Sequence, residues 1–114
     1  MQLESIGYMA ILLEYIAQGL NCTMREVAEG IGEKGVERLC HNAPMNSLLP
    51  INKIADEVIY DYSLPGAAHF NPSWRNVHVG DTYMKAVAEK TTDKSKYVHI
   101  FYKQIIARIP LDLT

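Results

Sequence analysis

The chain has 114 residues, of which 48% are hydrophobic and 21% charged, with a formal net charge of −2 and only two cysteines. This length suits a single domain over 1–114, able to bury roughly 65% of its unfolded surface. The composition excludes a disordered chain, and the cysteine count excludes a disulfide scaffold. The modest net charge hides a split. Residues 1–64 carry four basic and nine acidic side chains, a balance of −5, and residues 65–114 carry seven basic and four acidic, a balance of +3. The halves can attract each other or present two surfaces of opposite sign to partners.

Residues 3–19 read as the first helix. Leu3, Ile6, Met9, Ala10, Leu13, Ile16, Ala17 and Leu20 follow the 3.6-residue period, and Tyr8, Ile11, Leu12 and Tyr15 add a second apolar face. A helix apolar on two sides is central in a bundle or forms a homodimer interface. The segment lacks a basic n-region, and Glu4 and Glu14 flank an apolar run short of the ~20 residues a membrane span needs, so a buried helix is expected. With no secretion signal, the expectation is a cytoplasmic protein with free thiols.

Thr23-Met-Arg-Glu26 is a capping-box pattern that opens a second helix, with Met24, Val27, Ala28 and Ile31 inward. Gly30, Gly32 and Gly35 place a break near 30–33. A third short helix follows over about 33–41, then a loop from Asn42 to Ser47. Residues 23–32, TMREVAEGIG, open as many helix-turn-helix units do, with Ala28 at the helix crossing and Gly32 at the turn. The likeness then weakens: Glu33 and Arg38 stand where apolar residues belong. Across 23–42 the cations Arg25, Lys34 and Arg38 face Glu26, Glu29, Glu33 and Glu37, a poor balance for phosphate contacts. DNA binding by 23–42 is therefore the alternative rather than the leading expectation. The four glutamates, spaced three, four and four apart, would share one face of a continuous helix and offer a docking surface to a basic partner.

Residues 50–62 give the clearest amphipathic helix: Ile51, Ile54, Ala55, Val58, Ile59 and Tyr62 form one stripe and Lys53, Asp56, Glu57 and Asp61 fill the other side. Periodicity then fails over 63–80, where Pro-Gly and Asn-Pro mark turns and WRNVHV suits a short extended piece. Long loops inside compact domains are often functional. This one holds His69, Phe70, Trp74, Arg75 and His78, and Phe70, Trp74 and Arg75 are residue types enriched at binding hot spots. A helix starts at Asp81 or Thr82 and ends near Thr91. The last helix covers about 96–108, with Val98, Phe101, Tyr102, Ile105, Ile106 and Ile109 in period, and Pro110 ends it. A strand reading of YVHIFY is weaker because the periodic run is long. Lys85, Lys90, Lys94, Lys96, Lys103 and Arg108 make the C-terminal third basic, read here as a solvated face.

Cys22, Cys40, His41, His69, His78 and His99 contain no tight ligand pair of the kind structural zinc sites use. Nothing around Cys40 resembles a nucleophile signature. GIGEKG over 30–35 spells G-x-G-x-x-G but follows a helix rather than a strand. No metal, cofactor or catalytic residue is expected. The sequence thus sets up an all-α bundle of five or six helices, acting without catalysis by binding another protein, in the manner of an inhibitor, immunity protein or antitoxin-like regulator. The candidate partner-binding residues are Glu26, Glu29, Glu33, Glu37, Phe70, Trp74 and Arg75, and the partner would be a protein, basic where it meets the glutamates.

Overall fold

The computed structural model describes residues 1–107, which contain six α-helices, one short 3₁₀ turn and no strand. In chain order the helices are α1 (Leu3–Leu20), α2 (Met24–Ile31), α3 (Glu33–Asn46), α4 (Ile51–Asp61), α5 (Val77–Lys90) and α6 (Tyr97–Ala107), with the 3₁₀ turn over Lys94–Lys96. The all-helical bundle expected from the periodicity is what the described residues form.

Helix α1 is the axis of the fold. Ile6, Met9, Leu12, Leu13, Tyr15 and Ile16 are buried, and every other helix packs on it. Burying a large aliphatic side chain stabilises by about 1.5–3 kcal/mol, so two apolar faces on one helix are explained by neighbours on both sides. That packing covers within one chain the surface a homodimer through α1 would use. Asn21 closes α1 in the left-handed region at φ 56°, and its N–H reaches back to Gln18.

The α1–α5 pair is the tightest packing and depends on small residues. A Cβ on Gly80 would stand 3.0 Å from the Gly7 carbonyl oxygen, and one on Gly7 would stand 2.9 Å from Met84 Sδ. Helix α5 begins at Val77, four residues earlier than the sequence pattern places it, and WRNVHV is not extended. The Asn76 side chain accepts the Val79 N–H at 3.2 Å, and this cap outweighs the weak β preference of two valines.

Helix α3 also differs from expectation. It runs to Asn46, through the stretch read as a loop, with Pro44 in its last turn. A proline there removes one helical N–H, while the apolar spacing Val36, Cys40, Ala43 continues onto α1. Ala43 then accepts the Ser47 N–H at 2.8 Å. The final helix is α-helical over Tyr97–Ala107, not a strand; its expected end at Pro110, with Arg108 and Ile109, lies outside the described residues.

Candidate functional site

Thr23 caps α2 as its sequence predicts: its hydroxyl accepts the Glu26 N–H at 3.1 Å, and the Glu26 carboxylate accepts the Thr23 N–H at 3.2 Å. Gly32 alone joins α2 to α3. Its φ of 83° and ψ of 159° turn the chain sharply, a conformation that favours glycine. Helix α6 lies against both helices. The four glutamates therefore do not form one stripe. Glu26 serves the cap, Glu29 pairs with Arg25 at 3.6 Å, and Glu33 meets His99 Nδ1 at 3.1 Å across the α3–α6 contact. Glu37 is exposed on the next turn of α3. The Glu33–His99 contact joins the acidic half of the chain to the basic half.

The aromatic loop packs inward. Phe70 stacks on Tyr15 with ring centroids 4.9 Å apart and an interplanar angle of 17°, and Trp74 sits 6.3 Å from the same ring. Gly19 makes the seat: a Cβ there would overlap the Phe70 ring at Cε1 and Cδ1. The Tyr15 hydroxyl donates to the Asn71 carbonyl at 3.1 Å, and the His69 N–H donates to the Gly19 carbonyl at 2.9 Å. Leu64 is buried beside Gly30. Arg75 stays exposed, near enough to Tyr8 and Tyr15 to favour their phenolates, although burial outweighs it at both and pushes Tyr8 up to about 12. A cleft of about 200 Å³ remains between Tyr15, Gln18, His69, Phe70, Asn71 and Trp74.

Neither thiol is poised to react. Cys40 is buried, and burial with the Glu37 charge pushes it up to about 12; burial raises half-buried Cys22 as well. His41, His69 and His78 are exposed on separate elements. Among the described residues no three of His, Cys, Asp and Glu gather as metal ligands, and no helix is long and apolar enough to cross a membrane.

The surface feature that sequence reasoning missed is the corner between α3 and α4. Met45 is 75% exposed, Leu48 84% and Leu49 45%, framed by exposed Pro44 and Pro50. The corner is not slack. Leu48 N–H bonds the Met45 carbonyl, Leu49 N–H bonds the Asn46 carbonyl, and the Ser47 hydroxyl bonds the Pro44 carbonyl. A groove of about 390 Å³ opens beside it between the start of α1 and the end of α3, lined by Glu4, Ser5, Tyr8, Ala43, Pro44 and Ser47. The buried Tyr8 hydroxyl has no hydrogen-bond partner among the described residues. The signal is in the sequence: SLLP over 47–50 places two leucines directly before a proline, between two helical stripes.

No family model matches the chain, and comparison with curated proteins and with solved structures returns no match.

Proposed function

We propose that the protein acts without catalysis, by binding another protein, and that the corner at 44–50 with its adjoining groove is the contact surface. The observation that carries this reading is the exposure of Met45, Leu48 and Leu49 within five residues of a hydrogen-bonded turn. Single exposed apolar side chains are ordinary, whereas a contiguous apolar patch with polar surroundings marks an interaction site. The two prolines and the turn bonds hold the patch in one shape, so little ordering entropy is lost on contact. Met45 adds an adaptable side chain, and the groove is large enough to take a side chain from the partner. A stoichiometric regulator of the inhibitor, immunity or antitoxin kind would use such a surface.

Selection of a displayed random-peptide library on the immobilised protein tests the reading. Selected peptides should lose binding to Met45→Ser/Leu48→Ser while circular dichroism shows the variant folded. Peptides that bind this variant as well as the wild type would overturn the assignment.

A further inference from the structure

We propose that the outer face of α4, continuous with the 44–50 corner, binds a basic amphipathic helix of the partner protein. This rests on the corner being the contact surface and adds the chemistry of what it contacts. Helix α4 buries Ile51, Ile54, Ala55 and Val58 and turns Lys53, Asp56, Glu57, Tyr60 and Asp61 to solvent, at i, i+3, i+4, i+7 and i+8. Its main packing is on α1, which leaves this face uncovered. Apolar groups mark both ends. Leu48 and Leu49 precede the helix, and Tyr60 near its end is 85% exposed. The helix between these ends has eleven residues, about 16 Å or three turns. Tyrosine at such exposure is a residue type that anchors interfaces.

Charge separates this face from the glutamates of α2 and α3, where Glu37 stands between Lys34 and Arg38. Glu29 and Glu33 have partners within the chain, and Glu26 serves the α2 cap. Asp56, Glu57 and Asp61 make no ion pair among the described residues, and Lys53 is the one cation on their stripe. The face therefore presents apolar ends with net negative charge between them. Its complement is a helix with apolar anchors about three turns apart and lysine or arginine between them. A second copy of this chain fits less well. A two-fold interface centred on this face would set the carboxylate row against its own copy.

The test uses two fluorescein-labelled amphipathic peptides of about 18 residues with the same apolar stripe, one leucine/lysine and one leucine/glutamate. Anisotropy is read at about 0.02 M and about 0.3 M salt. The lysine peptide should bind at least about tenfold more tightly than the glutamate peptide at low salt, with the gap shrinking at high salt. Asp56→Asn/Glu57→Gln/Asp61→Asn should reduce the gap to about twofold or less, and Leu48→Ser should weaken the lysine peptide. Equal binding of both peptides, weakened in both by Leu48→Ser, would overturn the charge assignment and leave the corner standing. Lysine-peptide binding indifferent to Leu48→Ser would overturn both. Binding of neither peptide would overturn the proposal. So would a homodimer in light scattering that Leu48→Ser dissociates.

Discussion

Gly19→Ala tests how the aromatic loop is held. In most helices alanine replaces glycine with a gain of up to about 1 kcal/mol. Gly19 lies in the last turn of α1, so the gain is smaller, and the new methyl group would overlap the Phe70 ring. The ring must leave its stack on Tyr15, worth about 0.5–1.5 kcal/mol. A half-buried phenylalanine also forfeits part of the roughly 1.5–3 kcal/mol that full burial supplies. The balance is a net loss of about 1–2 kcal/mol, or a drop in Tm of roughly 4–8 °C per kcal/mol for a domain near this size.

Urea unfolding followed by far-UV circular dichroism measures the loss. Trp74, the single tryptophan, reports in parallel on the loop because it sits beside the same Tyr15 ring. The decisive comparison is Gly19→Ala in a Phe70→Ala background. With the ring gone, the substitution should be neutral or stabilising by up to about 1 kcal/mol, so the sign reverses. Equal destabilisation in both backgrounds would refute the argument that Gly19 exists to seat Phe70.

Thr23→Ala should cost about 1 kcal/mol in urea unfolding, because the hydroxyl that accepts the Glu26 N–H is lost, while the backbone N–H at position 23 keeps its bond to the Glu26 carboxylate. Ellman's reagent near neutral pH should find Cys40 unreactive in the native protein and both thiols reactive after denaturation. The folded-state value of Cys40, raised to about 12, lies above its unfolded value, so its contribution is complete below about pH 8.5 and is lost as pH rises toward 12. Tyr8, also raised to about 12, acts in the same direction from about pH 10. A urea midpoint that holds steady from pH 8 to pH 11 would contradict both. Generic duplex DNA titrated at low salt should show no anisotropy change, since Glu37 stands between Lys34 and Arg38 on the exposed side of α3.

The elements with strong periodicity are legible in the sequence. Helices α1, α4 and α6 and the cap of α2 follow directly from apolar spacing and Thr23-x-x-Glu26. Boundaries failed where a breaker residue competed with tertiary packing. Pro44 reads as a stop, yet Ala43 on α1 carries the helix to Asn46. Asn76 reads as part of a loop, yet its side chain starts α5. The candidate site was legible only in kind. The glutamate row required a continuous helix, and Gly32 divides it. Phe70 and Trp74 read in the sequence as residues that either pin the loop or meet a partner, and in the structure Phe70 stacks on Tyr15 with Trp74 tilted beside the same ring. Leu48 matches the spacing of the α4 stripe, but Pro50 ends the helix before it reaches Leu48, so periodicity alone does not mark Leu48 and Leu49 as exposed.

The size of the apolar corner limits what it can do alone. Full burial of three such side chains supplies roughly 5–9 kcal/mol, and Leu49 is already about half covered, so the usable part is smaller, about 4–6 kcal/mol. Association costs from about 4 to 15 kcal/mol in lost translation and rotation. A micromolar complex needs a net of about −8 kcal/mol, so the corner falls short of it by several kcal/mol. Any complex of useful affinity must recruit neighbouring groups. Those within reach are the groove beside Pro44 and the α4 face from Asp56 to Asp61. The groove adds apolar burial, which salt leaves almost untouched, while the carboxylates add attraction that salt screens over about 10 Å at 0.1 M. The salt dependence of the first peptide found to bind therefore apportions its affinity between the two. An affinity in the micromolar range that survives high salt places the weight on the apolar lining of the groove; one that collapses places it on carboxylates, on α4 if Asp56→Asn/Glu57→Gln/Asp61→Asn removes the salt dependence and on Glu4 of the groove if it does not.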